Sequence, residues 1–476
     1  MSASIAELLA DAPALRDCRK ALGEAEDVWV VGGAVRDAAL GRPVVGVDLA
    51  VAGDPGEAAA AIARVTGGPA FELSERFATW RALAADGSWH VDVTRFRGVS
   101  IEDDLTARDF TVNAVAVPLG DPSEPPLDPS GGLADLDSRL LRAVSERSFI
   151  DDPLRVLRAA RIAAEVGMEI DPGTAGLARA AAGRVAEAAG ERQLAELRLM
   201  LTGPDPVRAL SLLDELGATP VVLPEVDALR GVEQNPNHHL DVHGHTVEVL
   251  RNVLELEANP DRYAGDLAGV VAELLAEPLA DELTRGGALR FGALVHDLGK
   301  PATRVERGSY VTFIGHDREG AKLVASLCRR LKTSRALERH LQGLTLHHLR
   351  LGFLVHEGSL SRRRIYEYLR ETDPVAPDVT LLSMADRLAA RGGGPIAGPE
   401  MVNAHLELGR EMLAAALDWR RVGPPRSPIP GDELAGELGI EPGPELGRLL
   451  GEIQAAVYAG EVEGRDDAVA LARRLV

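Results

Sequence analysis

Three groups of residues in this 476-residue sequence carry side chains suited to phosphate chemistry. The first is Asp48 and Asp92, each inside a short β-type run (VDLAV and HVDVTRFR), together with Gly32-Gly33 between a strand-like run and a helical stretch. Carboxylates are the usual protein ligands of Mg2+, and a Gly-Gly turn bares backbone N–H groups toward a phosphate. Arg36, one helical turn on, adds a cation near the same anion. Taken alone, such a turn is equally a tight strand-to-helix connection. The second group is Asp152 and Arg155. If both are helical, their spacing of three puts them on one face. There an Asp accepts from an exocyclic amine and an Arg donates to ring acceptors, which is base-edge chemistry; without further context the same spacing gives an ordinary surface ion pair. The third group is His245, His296-Asp297, His316, His347-His348 and Asp386. Neutral imidazole and carboxylate suit first-row divalent metals. The expected metal ligands are His245, His296, Asp297, His316, His347 and Asp386, with His348 the alternative to His347.

The elements that must position these groups follow from composition and pattern. The run 28–31, the turn at 32–33, a helical stretch 34–40 and an apolar run 44–51 read as strand, turn, helix, strand, and short β-type runs continue over 77–97. From Asp151 to Gly167 apolar residues recur at helical spacing, and from 205 to 420 almost everything reads as helix. RVGPPRSPIPG (421–431) is a Pro/Gly-rich linker before a small helical tail. Aromatics make up only 4% of the chain, so Ala, Leu and Val must build the core. Two cysteines, Cys18 and Cys328, argue against a disulfide framework or a cysteine metal site. No apolar run reaches about 18 residues, so no membrane partner is expected. The N-terminus has no cationic region followed by an apolar block, and a cytoplasmic location is the default expectation. The net charge of −21 runs against nucleic-acid binding unless positive charge is concentrated locally.

Spacing ties the first two groups together. GGAVRDAALGRPVVGVDLAVAGD (32–54) resembles the signature of class II CCA-adding enzymes and bacterial poly(A) polymerases, G-G-x-V-R-D-x-x-L-G-R followed by D-x-D. The resemblance implies that Asp48 and Asp92 are catalytic and hold Mg2+. It also implies a carboxylate at the first position of D-x-D, but that position is Gly46, which offers no side-chain ligand, so impaired transfer is expected. DLTARDFTVNAVAV (104–117) resembles the R-R-D-F-T-x-N-A motif with Ala107 in place of its first Arg, and implies that Arg108 and Asp109 lie near the incoming nucleotide. LDPSGGLADL (127–136) resembles the head-to-neck turn, with Asp128, Gly131 and Gly132 as hinge elements. SFIDDPLR (148–155) resembles the E-D-x-x-R template that reads CTP or ATP, here Asp152 and Arg155, with Arg158 and Arg161 extending the basic face. GERQLAELRLML (190–201) resembles the E-R-x-x-x-E-L neck helix, in which Glu191, Arg192 and Glu196 brace the pocket. The nucleotide-binding set implied is Gly32, Gly33, Arg36, Arg108, Asp109, Asp152, Arg155 and Arg158.

The His/Asp series resembles the HD phosphohydrolase pattern H…HD…D. It implies a divalent transition metal such as Mn2+ or Ni2+, activated water attacking a phosphate ester, and Lys300 as a phosphate contact. Relatives of that kind act on nucleotides, 2′,3′-cyclic phosphates or 2′-phosphates.

The resemblance covers nearly the whole chain in order. The expected fold is α+β: a small polymerase-beta-type nucleotidyltransferase head (1–140), a helical neck for nucleotide and RNA recognition (141–205), an HD-type helical domain (206–420) and a helical RNA-binding tail (421–476). The expected activity is CCA addition or repair at tRNA 3′ ends with CTP and ATP as partners. An HD phosphohydrolase with a non-catalytic head, and a silent RNA-binding relative, are the alternatives. The oligomeric state is left open.

Overall fold

The computed structural model describes residues 5–23, 25, 27–44, 46–74, 78–308, 310–394 and 397–476. Val45 and Phe77, inside two of the expected β-type runs, and the first four residues lie outside them. The chain divides into two compact units, Met1–Glu196 with Gly203–Val222, and Leu197–Thr202 with Leu223–Val476.

The first unit opens on a six-stranded mixed sheet. Its strands are β1 (Val28–Val31), β2 (Val47–Val51), β3 (Ala70–Ser74), β4 (Thr79–Leu83), β5 (His90–Arg95) and β6 (Ala116–Pro118), in the order β3-β4-β5-β2-β1-β6. Among the described residues, the central β2–β5 pair is the one parallel pair of this sheet; the remaining neighbours run antiparallel. The two central strands are Val- and Leu-rich because their apolar side chains are buried: Val47, Leu49, Val91 and Val93 lie in one core with Leu15 and Ile62 from flanking helices. Alternation along the strand then sets Asp48 on the other face from Val47 and Leu49.

After the sheet, Asp128 ties down the expected hinge. Its carboxylate accepts from the N–H of Gly132 at 2.7 Å and Leu133 at 2.9 Å, and Gly131 has φ 74°, a left-handed conformation that favours glycine. The helical reading of Asp151–Gly167 needs correction at its start. A short helix, Ser148–Asp151, ends at Asp152, which is extended (φ −145°, ψ 100°), and a new helix runs Arg155–Val166. Pro153 explains the break, since a proline pushes the residue before it out of the helical region. The premise that Asp152 and Arg155 share one helix face therefore fails.

Among the described residues the second unit is helical, as expected, except for two short antiparallel strand pairs, Pro278–Ala280 with Leu283–Thr284 and Val305–Arg307 with Tyr310–Thr312. Its central helices are Val242–Ala258, Arg285–Val295, His316–Leu331, Arg335–His347 and Ala376–Ala389. Gly299 lets the chain after the His296-Asp297 pair lie directly on the start of the His316 helix; a Cβ there would fall 2.1 Å from the carbonyl oxygen of His316. Tail helices Gly431–Leu438, Pro444–Ala459 and Arg465–Leu475 enclose a separate core around Leu434, Leu449 and Ile453. Among the described residues no helix is long and apolar enough to cross a membrane.

Candidate active sites

The first site is built on the parallel pair. Asp48 of β2 and Asp92 of β5 are direct partners in the register. Side chains of residues level with each other on adjacent strands lie about 5 Å apart on one face, a spacing that suits a shared cation. Gly32 closes the site from the β1 end. Its φ of 72° is glycine-like, and a Cβ there would sit 2.9 Å from Asp48 Oδ2 and 3.3 Å from an Arg108 guanidinium nitrogen. Asp48 is open to solvent on one side, yet the protein around it pushes its pKa up, with Arg108 pulling the other way. Asp92 receives Arg81 in a two-pronged pair at 2.7 and 2.8 Å. Each carboxylate oxygen keeps a second lone pair, so this pair leaves Asp92 able to ligate.

These residues fit a cation that takes one or two protein carboxylates and keeps water and substrate phosphate as its other ligands, as Mg2+ does. Gly46 adds nothing to that set. It is exposed, and a Cβ at this position would meet nothing within 4 Å. Asp54 does not take its place: its side chain caps the next helix by accepting from Glu57 N–H at 3.0 Å.

A charged network walls the site. Asp109 is buried and accepts from Arg158 Nε at 2.9 Å and Asn113 at 3.1 Å. Burial works to raise the Asp109 pKa, but Arg158 and the Asn113 hydrogen bond outweigh it and hold the carboxyl well below the usual range. Glu196 pairs with both Arg158 and Arg161 and thereby fixes the helix that carries them. Arg36 is turned into this network: it bonds Asp37, Asn113 and Glu165 and is buried. Arg155 donates to the backbone carbonyls of Ala107, Arg108 and Ser148, and Asp152 is held by Arg192 at 2.6 Å. The pair is thus two braced side chains beside the Arg108 loop. Arg81 and Glu165 are not marked out by the sequence; only the strand register and the helix packing place them here, whereas Asn113 stands at the Asn of the R-R-D-F-T-x-N-A motif.

The second site lies wholly in the helical unit. His245, His296 and Asp386 form one group, and Asp297, His316 and His348 another; within each, the ligating atoms lie within 4.8 Å of one another. The histidine that joins is His348, not the expected His347. His347 is the last residue of its helix and is half-buried near Arg350, Glu371 and Asp317, whereas the next residue turns inward.

Three of these rings are oriented alike. Nδ1 of His296, His316 and His348 each donates to the carbonyl three residues back, Ala293, Phe313 and Thr345, at 2.9, 2.7 and 2.7 Å. With Nδ1 as the N–H, every Nε2 presents a lone pair inward, the arrangement that fixes imidazole for a metal. Asp297 lies between the groups. Its Oδ2 is 3.2 Å from His296 Nε2 and 3.7 Å from His245 Nε2, and its Oδ1 is 3.4 Å from His316 Nε2 and 3.7 Å from His348 Nε2.

Lys300 pairs with Asp297 at 2.6 Å, but neither buried oxygen accepts a well-formed hydrogen bond, and His296 Nε2 has no partner either. Buried polar atoms are rarely left so. The orphaned acceptors of His296 and Asp297, with the inward nitrogens of His245, His316 and His348 and the carboxylate of Asp386, form a donor set that would suit divalent first-row metals. Burial, reinforced by His316 and His296, holds His348 at about 3, so it stays neutral as a ligand must.

Comparison with known proteins finds matches over both parts of the chain. Residues 28–142 match the Poly A polymerase head domain, 167–229 the probable RNA and SrmB-binding site of polymerase A, and 242–391 the HD domain. The chain is 35% identical over 452 residues to an A-adding tRNA nucleotidyltransferase of Deinococcus radiodurans, covering 94% of each chain. It is 32% identical to a CC-adding tRNA nucleotidyltransferase of Thermus thermophilus, covering 93% of this chain and 92% of that one. In fold it resembles the Thermotoga maritima CCA-adding enzyme complexed with tRNA, with a TM-score of 0.59 at 19% identity over 99% of this chain and 98% of that one. The chain belongs to the family of class II tRNA nucleotidyltransferases and bacterial poly(A) polymerases, and carries that family's HD domain.

Proposed function

We propose that the first unit transfers CMP or AMP from CTP or ATP to the 3′ end of tRNA. The observation that carries this reading is the in-register Asp48–Asp92 pair facing Gly32 and Arg108. Bound Mg2+, held by these two carboxylates, would supply activation of the primer hydroxyl and charge stabilisation on the leaving pyrophosphate. The chain's own residues do the rest. Gly32 leaves room for a phosphate to approach the strand. Arg108 and Arg158 balance the triphosphate, Arg158 remaining fully charged because Asp109 and Glu196 outweigh the effect of its burial. Asp152 and Arg155, braced by Arg192 and by backbone carbonyls, present fixed donors and acceptors to a base edge. Gly33 and Arg36 shape the turn behind them.

Residues 1–140 act as the head in this reading, 141–205 as the nucleotide- and RNA-reading neck, 206–420 as the HD domain and 421–476 as an RNA-holding tail. The test is extension of tRNAs lacking one, two or three 3′ nucleotides, with CTP and ATP given separately and together. Extension of any of them supports the reading, and the pattern distinguishes CC, A and CCA addition. Failure on all three, with Mg2+ present, refutes it.

A specific observation favours a second activity beside the first. The orphaned acceptors of His296 and Asp297, with His245, His316, His348 and Asp386, constitute a metal-dependent phosphohydrolase centre, with Mn2+ or Ni2+ the ions its donors suit. Its test is Mn2+-dependent phosphate release, abolished in His296→Ala. Cytoplasmic RNA metabolism is the setting both activities imply.

A further inference from the structure

Beside the His/Asp centre the helical unit holds a cavity of about 290 Å3, with His348 and Asp386 forming part of its wall. Leu349, Phe353 and Met401 supply an apolar lining, and Phe353 is left 63% exposed. An open aromatic face at a pocket wall offers a stacking platform for a base.

Arg387 lines the same cavity. Its Nε and Nη2 are sealed from solvent and donate to nothing among the described residues. The acid nearest to it, Asp386, is engaged by His245 at 2.9 Å and belongs to the metal donors. The other titratable groups of the lining are imidazoles, His238, His356 and His405 among them, so the pocket supplies no spare anion. Two buried guanidinium donors without acceptors are costly, and the fork they form matches a phosphate better than any other small anion but carboxylate. The volume lies at the lower end of small-ligand pockets, which run from about 300 Å3 upward, and matches one nucleoside.

We propose that this cavity binds a single nucleoside bearing two phosphate groups, one at the His/Asp centre and the second paired with Arg387, with the base against Phe353. The proposal rests on the phosphohydrolase reading above. In the reaction, a water oxygen forms a bond to the phosphorus of the first group as the P–O ester bond breaks. The sugar oxygen departs as an alcohol with one of the water's protons, and inorganic phosphate is released. The second phosphate is untouched, and no other reactant is consumed.

The test is calorimetric binding of adenosine 3′,5′-bisphosphate and adenosine 3′-monophosphate to the full chain with metal chelated. The ratio of the two affinities cancels what the empty centre contributes, and comparison with Arg387→Met removes any binding by the head. Wild type is expected to prefer the bisphosphate by at least about tenfold, close to 1.4 kcal/mol. Arg387→Met loses that preference and Arg387→Lys restores part of it, with tRNA extension and Tm serving as folding controls. Equal affinities in wild type, or a preference that survives in Arg387→Met, overturn the proposal. The parent reading is judged separately, by Mn2+ stoichiometry and by phosphate release from the monophosphate.

Discussion

Asp48 and Asp92 stand level with each other on neighbouring parallel strands, the one parallel pair in the sheet among the described residues. That register brings together two carboxylates 44 positions apart, and the position two residues before Asp48, where a further carboxylate would join them, is Gly46.

Restoring that carboxylate is predicted to strengthen the site. Gly46 is exposed, is not in a left-handed conformation, and has open space where a Cβ would stand, so Gly46→Asp adds a ligand without strain. Tighter placement of the cation should raise the transfer rate at limiting Mg2+ by about tenfold or more, since small displacements of reacting groups carry penalties of that order. The measurement is the Mg2+ dependence of tRNA extension. An unchanged Mg2+ midpoint would show that Gly46 lies outside the metal's reach.

His348 and His347 are predicted to behave differently despite adjacency. His348→Ala removes one of the converging Nε2 donors and should lower Mn2+ binding by one equivalent or weaken it about 10- to 100-fold. His347→Ala, which lies outside both donor groups, should leave Mn2+ stoichiometry at the wild-type value. Metal content after dialysis decides between them.

Stability should depend on pH through Asp109. Its folded pKa is lower than its unfolded one, because Arg158 and Asn113 outweigh the burial that opposes them. The stability it contributes is therefore fully present above the unfolded carboxyl value, about 3.9, and is lost as pH falls toward the folded value. Asp109→Asn should cost about 1.5–3 kcal/mol near pH 7, the usual loss for a hydrogen bond to a charged group. The gap in Tm between the two proteins should hold above about pH 5 and narrow below about pH 4. A gap that widens on acidification would reverse the assigned sign.

Both thiols should be inert in the native protein. Burial pushes Cys18 up to about 12 and Cys328 up to about 11, and both side chains are enclosed. At pH 8 a thiol reagent should label neither until the chain unfolds, and then label both. Rapid native labelling of Cys18 would show that the core around Leu15 and Ile62 opens locally.

Much of this architecture is legible in the residues. The strand, Gly-Gly turn, helix, strand order around Asp48 and the helical second unit follow from apolar periodicity. The His296-Asp297 pair is recognisable because its partners recur in order along the chain. What is not legible depends on geometry between elements. Pro153 interrupts what periodicity reads as one helix, so the Asp152–Arg155 spacing misleads. Whether His347 or His348 turns inward depends on where the Arg335–His347 helix ends, a detail of one residue. Arg81 meets Asp92 only because β4 and β5 pair in that register. Arg36 reads as an anion ligand until its neighbours Asp37, Asn113 and Glu165 are in place.

In the proposed function the Asp48–Asp92 pair performs nucleotidyl transfer to tRNA. Single-turnover extension of a tRNA lacking its terminal nucleotides, run with wild type and Asp48→Asn at saturating nucleotide and Mg2+, tests it most directly. Wild type is expected to extend measurably and Asp48→Asn to fall by at least about 1,000-fold, the scale expected when a metal ligand and its positioning are lost. Extension by Asp48→Asn within about tenfold of wild type would contradict it.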